Sequence, residues 1–226
     1  MFLLTPQGRL EALFASPATR RPGGPAVVLC HPHPLHGGTM HTKVVHAVAK
    51  GLERAGAACL RFNFRGVGAS SGVHDLGRGE VDDARCALDH LADMLPDAKL
   101  WMAGFSFGAS IALRVGATDE RVQGLIAIAP AVDRYDLEFL IECEKPILIL
   151  QGDRDDLAPL EATESLYSRL RGPAALCVFS GADHLFHDHL QLVRDTVFAY
   201  ALSWPPSAGR VVIQRDDHAR ESGTRT

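Results

Sequence analysis

Short apolar runs alternate with amphipathic segments along most of this chain. AVVLC at 26–30 is short and β-branched, and HTKVVHAVAKGLERAG at 41–56 spaces its apolar residues at helical intervals, so a strand is predicted to lead into a helix. Five further pairs follow: ACLRFNF with EVDDARCALDHLADML, LWMAGF with GASIALRVGA, LIAIAP with DRYDLEFLIE, ILILQG with LEATESLYSRLR, and ALCVFSG with the stretch from His189 to Leu202. This alternation predicts an α/β fold, an open, mostly parallel twisted sheet with helices on both faces.

The two ends of the chain do not follow this alternation. FLLTPQGRLEALFAS resembles a hairpin that turns at Pro6 to Gly8, which predicts an antiparallel addition at the edge of the sheet. After Pro205 the chain is polar and unpatterned, so residues 207–226 are predicted to form a disordered tail. Residues 1–206 are therefore predicted to form a single domain.

Composition restricts the kind of partner and the compartment. A chain of 226 residues with 46% hydrophobic residues suits one globular domain. The formal net charge of -4 and the pI near 6.2 give no basic stripe, so a small molecule is expected as partner rather than nucleic acid or a membrane. Five cysteines without CxxC spacing, and a start that lacks the basic region of a signal peptide, indicate a cytoplasmic protein. Both a monomer and a homodimer are compatible with the sequence.

The apolar stretch LWMAGFSFGASIAL at 100–113 is interrupted by Ser106 with Gly104 and Gly108 on either side. Ser106 falls where a predicted strand ends and a helix begins. A turn that sharp brings the positions two residues before and after its apex into close contact, and only small side chains fit there. The apex hydroxyl then stands clear of the sheet at the start of the helix, which makes it a candidate nucleophile. The alternative is a glycine-rich turn whose serine only caps the helix.

A nucleophilic serine needs a base to take its proton and an acid to orient that base. Three aspartates crowd the loop after strand ILIL, and any of them could reach an imidazole: Asp153, Asp155 and Asp156. His184 follows strand ALCVF, whereas His187 and His189 lie nearer the last helix. The order along the chain is therefore serine, acid, histidine. A loop of solvated carboxylates is the alternative reading of the aspartates.

Four motifs, HPHPLHGGTM, FNFRGVGASSG, GRGEVDD and GFSFG, together resemble those of the α/β-hydrolase superfamily. The resemblance covers the chain to about residue 204, and it is most specific to a compact bacterial group with an HPHPxxGG loop and a GFSFG nucleophile elbow. It implies the α/β-hydrolase fold. A minimal or absent cap domain is expected because the connection after strand LIAIAP is short. The resemblance also implies a serine hydrolase of the carboxylesterase type.

The same resemblance assigns roles to individual residues. The acid loop of the superfamily often reads HGxxDxxVP, and QGDRDDLAP matches it with Asp155 at the D. The histidine commonly lies in a GADH element, as His184 does here. The resemblance thus implies Ser106 as nucleophile, His184 as general base and then acid, and Asp155 as the orienting acid. Gln151 and Ala158 depart from the loop pattern without touching this chemistry.

A tetrahedral intermediate also needs hydrogen-bond donors for its oxyanion. The backbone N–H of Phe107, the residue after the nucleophile, is one candidate. The loop HPHPLHGG should supply the other, and His33 is its first internal N–H because Pro32 and Pro34 have none. The side chains expected to line the substrate pocket are Leu35, Phe105, Tyr135 and Leu137.

Two rival kinds of site have weaker patterns. Histidines recur between 31 and 46, yet no HExxH motif or thiolate accompanies them, so structural or pocket-lining roles are favoured over a metal site. The segments GVGASSG and HGGT lack the ending of a phosphate-binding loop. We therefore expect neither metal nor cofactor. Arg65 and Glu80 are interpreted as a structural ion pair or cap.

The substrate class is inferred from a short connection. Only about 15 residues link strand LIAIAP to strand ILIL, where many α/β-hydrolases carry a helical cap, so the site should be open. An open site with little apolar wall favours short-chain carboxylic esters. Thioesters, dienelactone-like lactones, small amides and peptides share the same acyl-enzyme chemistry, as does acyl transfer. A ligand-binding receptor on this fold is the non-enzymatic alternative, and it would not need the base.

Overall fold

The computed structural model describes residues 1–17, 23–203 and 209–215. Within them the strands are β1 (Phe2–Thr5), β2 (Gly8–Ala15), β3 (Pro25–Cys30), β4 (Ala58–Phe62), β5 (Lys99–Phe105), β6 (Val122–Ile128), β7 (Ile147–Gly152), β8 (Ala174–Phe179) and β9 (Arg210–Arg215). The helices are α1 (Lys43–Arg54), α2 (Arg78–Met94), α3 (Phe107–Thr118), α4 (Leu160–Arg169) and α5 (Leu190–Leu202), with short 3₁₀ helices at Pro34–His36 and Glu138–Glu142. In these ranges no helix has the length and apolar character that a membrane span requires.

The strands form one open sheet in the order β1-β2-β4-β3-β5-β6-β7-β8-β9. In this order, each pair of neighbouring strands from β4 through β3 to β9 is parallel. Strand β2 runs antiparallel to both β1 and β4. The predicted hairpin is confirmed, with Phe2 opposite Glu11 and Thr5 opposite Gly8. The α/β fold predicted from the alternation of segments is confirmed as well.

The sheet has a hydrophobic core on each face, because successive residues of a strand point to opposite sides. In β5, Trp101 and Ala103 belong to the core shared with α1 and α5, whereas Leu100 and Met102 belong to the core shared with α2 and α3. Burying each large apolar side chain stabilises the fold by about 1.5–3 kcal/mol. The two cores hold the carboxyl ends of the central strands in fixed positions, and the loops at those ends carry the polar residues of interest.

The sheet continues beyond the boundary predicted at residue 206. Arg210–Arg215 forms β9, parallel to β8 with Val211 opposite Ala175 and Ile213 opposite Cys177. The prediction of a disordered tail was therefore wrong for this segment. The run VVI has a high strand propensity, and the edge of β8 offers backbone groups for it to pair with. The rest of the predicted tail, residues 216–226, lies outside the described residues.

The helix predicted in the connection between β6 and β7 is shorter in the structure than the sequence suggested. The helix predicted for DRYDLEFLIE is reduced to the 3₁₀ helix Glu138–Glu142. Leu137 and Leu140 are the buried residues here, and their spacing of three places them on one face of a 3₁₀ turn rather than of a long α-helix. Residues 129–146 are all described, and they form no cap over the sheet. The predicted absence of a lid is confirmed.

The five cysteines are free thiols, and four of them are buried. Cys59 in β4 illustrates the effect, because burial raises the pKa of its thiol to about 12. A thiol in that environment stays protonated and unreactive at neutral pH. The four buried cysteines therefore contribute to packing.

Candidate active site

Ser106 forms the whole of a sharp turn between β5 and α3. Its backbone angles, φ 55 and ψ -120, are strained for a residue with a side chain, and its N–H donates to the carbonyl of Ile128 at 2.8 Å. A Cβ atom on Gly104 would lie 2.1 Å from the carbonyl oxygen of Gly108, and one on Gly108 would lie 2.3 Å from that of His31. The turn thus requires glycine at both positions, as the sequence predicted.

The Ser106 hydroxyl is the first member of a hydrogen-bonded series of three side chains. His184 Nε2 lies 2.9 Å from Ser106 Oγ, and His184 Nδ1 lies 2.8 Å from Asp155 Oδ2. The Asp155 side chain is fully buried, whereas 12% of the His184 side chain is exposed. A neutral imidazole in this position carries its proton on Nδ1, because the carboxylate can only accept, and this leaves Nε2 free to take a proton from the serine.

The Asp155 carboxylate is held by more than the histidine. Its Oδ1 accepts the backbone N–H groups of Leu157 at 2.9 Å and Ala158 at 2.8 Å. Its Oδ2 accepts the Gln151 Nε2 amide at 3.1 Å in addition to the histidine. All these donors fix the position of the carboxylate. Gln151, noted in the sequence only as a departure from a motif, is therefore a supporting residue.

The other aspartates and histidines of the two loops have different partners. Asp153 accepts the backbone N–H of Gly181 at 2.7 Å, and Asp156 is exposed. His187 pairs with Asp183, four residues before it, and His189 contacts the carbonyl of Ser180. Of the three histidines considered from the sequence, the structure brings only His184 to Ser106.

The two predicted oxyanion donors lie in the same cleft as the serine. His33 and Phe107 both contribute to its wall, and within the described residues neither backbone N–H donates a hydrogen bond. The loop is tightly folded at His33, whose carbonyl accepts the N–H groups of His36 and Gly38 at 3.1 Å each. A Cβ on Gly38 would come within 2.1 Å of the Pro32 carbonyl oxygen, so this turn also depends on glycine.

His31 joins the loop after β3 to the loop after β4. Its ring is fully buried, accepts the backbone N–H of Phe64 at Nε2 (3.0 Å) and donates from Nδ1 to the carbonyl of Pro32 (2.7 Å). Burial lowers the pKa of His31 to about 4. The ring is therefore neutral at neutral pH, and its single proton is already used in a hydrogen bond.

We expect this buried histidine to make the protein sensitive to acid. The unfolded chain binds a proton at His31 near pH 6.5, whereas the folded chain does not until about pH 4. The neutral, buried His31 therefore contributes fully to the free energy of unfolding above about pH 6.5. This contribution should fall by about 3 kcal/mol as the pH drops to about 4. Urea unfolding at several pH values measures this. His31→Gln keeps an acceptor for Phe64 and should show a weaker pH dependence, whereas the matched change His41→Gln at an exposed position should not. Equal slopes for all three proteins would contradict the assignment.

His33, in the same loop, also has a hydrogen-bond partner within the protein. His33 Nδ1 accepts the backbone N–H of Leu35 at 3.2 Å, and burial beside His74 and His36 lowers the pKa of His33. Among the described residues no three metal-ligating side chains are grouped in a way that could hold an ion.

The cleft above Ser106 encloses about 250 Å³. Of the predicted pocket residues, Phe105 and Tyr135 line it together with Phe107. Leu35 and Leu137 do not, and this part of the prediction was wrong. Leu35 is 71% exposed on the 3₁₀ helix Pro34–His36, and Leu137 is 2% exposed because it packs into the core. The sequence analysis missed these lining residues: His36, Ala131, Arg134, Leu157 and Leu185.

Arg65 and Glu80 have the structural roles that the sequence indicated. The Arg65 guanidinium and backbone N–H both bond to the buried carboxylate of Asp83. Glu80 is fully buried at the start of α2, where it accepts the backbone N–H groups of Asp75 and Gly77 at 2.9 and 2.8 Å. These interactions fix the loop beside the cleft.

Comparisons with known proteins show which family the chain is similar to. Residues 26–142 match the model of a family described as "Serine aminopeptidase, S33". An uncharacterized protein of Rickettsia prowazekii, RP471, is 40% identical over 190 residues, which cover 80% of this chain and 79% of that protein. The name of that relative does not state a function.

Two solved structures are similar over nearly their full length. An alpha-beta serine hydrolase homologue from Coxiella burnetii is 38% identical with a TM-score of 0.83, covering 88% of this chain and 95% of that one. XC6422 from Xanthomonas campestris, described as an a/b serine hydrolase without lid, is 33% identical with a TM-score of 0.84, covering 92% and 95%. The lidless architecture is thus shared with a solved relative.

Proposed function

This chain belongs to the α/β-hydrolase superfamily, within the family described as serine aminopeptidase S33, and on that premise we propose that it is a serine hydrolase of short-chain carboxylic esters. The observation that carries the proposal is the hydrogen-bonded series Ser106–His184–Asp155 at the floor of an open cleft. A hydroxyl, a base and an orienting acid in this order are what acyl transfer to serine requires.

In the proposed reaction Ser106 Oγ attacks the ester carbonyl carbon while His184 Nε2 takes the hydroxyl proton. The imidazolium that forms is stabilised by Asp155, and the N–H groups of His33 and Phe107 donate to the oxyanion. The tetrahedral intermediate then collapses: the bond to the alkoxide breaks, and His184 returns the proton to that leaving group. Water repeats the sequence on the acyl-enzyme and releases the carboxylic acid. No step draws on a cofactor.

The dimensions of the cleft support short substrates. Its volume of about 250 Å³ is below the 300–1,000 Å³ typical of sites that enclose a drug-sized ligand. The short link 129–146 lines one side of the cleft through Ala131, Arg134 and Tyr135 but forms no cap above it. A long acyl chain would extend beyond this cleft.

The family description makes an aminopeptidase the second candidate. Such an enzyme binds the positive amino terminus of a peptide, and a carboxylate close to the nucleophile would favour that charge. The part of the cleft wall that the structure describes contains His33, His36, Arg134 and His184 but no aspartate or glutamate. This lining favours a neutral or anionic substrate, and we therefore place the ester first.

The test compares p-nitrophenyl acetate, butyrate and octanoate. We expect kcat/KM for butyrate to exceed that for octanoate by at least about tenfold, because the added methylenes extend beyond the cleft above Ser106. A preference for octanoate would contradict the short-chain assignment but would not contradict the proposed attack by Ser106 on the ester. Aminoacyl p-nitroanilides serve as the aminopeptidase comparison, and S-acyl and lactone analogues separate the remaining ester-like classes.

Labelling with a fluorophosphonate provides a second reading that is independent of the substrate. An active serine hydrolase should be modified at Ser106, and prior incubation with butyrate ester should slow the reaction. A ligand-binding receptor on this fold would remain unmodified. The site of modification is located by mass spectrometry of the digested protein.

A further inference from the structure

A second cavity adjoins the cleft that contains Ser106. It encloses about 460 Å³ between α2, α3 and the loop that follows β6. Phe107, Arg134 and Tyr135 line both this cavity and the cleft, so the two spaces share a wall. A substrate with its ester carbonyl at Ser106 could therefore extend its other end into the second cavity.

Arginines from separate segments converge on this cavity: Arg78 and Arg85 from α2, Arg114 from α3, and Arg134 from the loop after β6. Two of them are engaged within the protein. Arg85 lies 3.4 Å from Asp82, and Arg114 donates to the backbone carbonyl of Asp136 at 3.0 Å.

The other two guanidinium groups are the ones available to a ligand. In the described part of the chain Arg78 forms no ion pair, and Arg134 reaches only Asp133, its neighbour in sequence, at 3.9 Å. Asp136, one of two acids in the wall, uses Oδ1 to accept the backbone N–H of Glu138 at 3.1 Å. The second acid, Asp82, is the partner of Arg85. The cavity thus has positive charge that its own acids do not neutralise.

The rest of the wall includes apolar residues that suit a hydrocarbon chain. Leu76, Val81 and Ile111 line the cavity together with the arginines. A guanidinium group binds a carboxylate through two parallel hydrogen bonds, and a short aliphatic segment would contact the apolar residues on the way. This combination is complementary to an acid at the end of a short chain.

We infer that the natural substrate is an ester that carries a carboxylate, held by Arg78 and Arg134 in the second cavity while the ester carbonyl lies at Ser106. The inference rests on the proposed ester hydrolysis and specifies its substrate class. It assigns Arg78 and Arg134 to specificity rather than to bond cleavage. A positive wall beside the nucleophile would also steer anionic substrates to the cleft at low ionic strength.

The experiment uses two pairs of substrates that differ in charge. The p-nitrophenyl monoester of adipic acid is compared with p-nitrophenyl hexanoate for an acid on the acyl side, and 4-acetoxybenzoate with 4-acetoxybenzamide for an acid on the alcohol side. Each is measured with the wild type, Arg78→Gln, Arg134→Gln and the double variant. For each variant, the readout is the factor by which kcat/KM falls from the wild-type value, and this factor is compared between the charged and the neutral ester. Differences in the intrinsic reactivity of the two esters cancel in this comparison.

In one of the two pairs, we expect each arginine removed to lower kcat/KM for the charged ester about fivefold more than for the neutral ester. Most of this loss should appear as a higher KM. Arg78→Lys and Arg134→Lys, which keep the charge, should retain part of the preference. High ionic strength should reduce it. Arg171→Gln is the charge-matched control, because Arg171 pairs with Glu142 outside both cavities, and it should affect charged and neutral esters equally.

The outcomes separate this inference from the function on which it depends. Equal losses for charged and neutral esters in both pairs, with hydrolysis that still requires Ser106, would overturn the carboxylate assignment alone. Failure of the wild type to hydrolyse any of the four esters, together with no labelling by fluorophosphonate, would overturn the proposed function itself.

Discussion

Replacing Ser106 with alanine should lower kcat for p-nitrophenyl butyrate by about 10⁶-fold. The hydroxyl lies 2.9 Å from His184 Nε2, so its loss leaves the base without a nucleophile to activate. Removing the serine should abolish nearly all of the catalytic effect of the three residues, since the histidine and the aspartate act only through the serine. The rate that persists comes from binding and from oxyanion donors acting on water, and fluorophosphonate labelling should disappear.

Ser168→Ala is the matched control for this change. Ser168 lies on α4, is exposed, and donates only to the carbonyl of Ser165 within its own helix. It should keep the wild-type rate. A Ser106→Ala protein that remains folded by circular dichroism and hydrolyses butyrate at the wild-type rate would show that another group attacks the ester.

Replacing Asp155 with asparagine should lower kcat by about 10⁴-fold. Two backbone N–H groups, of Leu157 and Ala158, point at Oδ1 and require an oxygen there. The new amide nitrogen must then occupy the other position and face His184 Nδ1 as a donor. The imidazole can accept that bond only by moving its proton to Nε2, where it opposes Ser106 and blocks proton transfer.

Asp156→Asn makes the same chemical change one residue away, at an exposed position. It should leave kcat unchanged, whereas Asp155→Asn should remain reactive toward fluorophosphonate at a greatly reduced rate. A large loss from Asp156→Asn with little loss from Asp155→Asn would show that a different aspartate orients the base. Steady-state kinetics with p-nitrophenyl butyrate measure both.

The features that the sequence predicted well depend on neighbours in the chain. The turn at Ser106 is an example, because the backbone that a side chain at Gly104 would meet belongs to Gly108, only four residues away. Gly108 is required by the distant carbonyl of His31. The six strands that alternate with helices were equally easy to recognise in the sequence, since a strand buried on both faces has a continuous apolar run. The choice among three aspartates was different. Without the resemblance to a family it could not be made, because it depends on which carboxylate the chain folds toward His184.

Features that depend on distant segments were missed or wrong. The wall of the second cavity joins Arg78, Arg114 and Arg134, and no short window of sequence contains more than one of them. Leu137 was assigned to the pocket as an apolar residue near the site, but a one-turn 3₁₀ helix rotates it into the core. Strand β9 forms only because β8 presents an open edge, which local polarity does not reveal.

The short link between β6 and β7 has a consequence for the fate of the acyl group. Because no described segment closes over Ser106, bulk water has the same access to the acyl-enzyme as any other nucleophile. Enzymes that pass an acyl group to a chosen acceptor must keep solvent away from it while they wait. An uncovered cleft offers no such protection, so the architecture itself biases partitioning toward hydrolysis. Any transferase activity would have to outcompete a solvent that is always present at the reacting carbon.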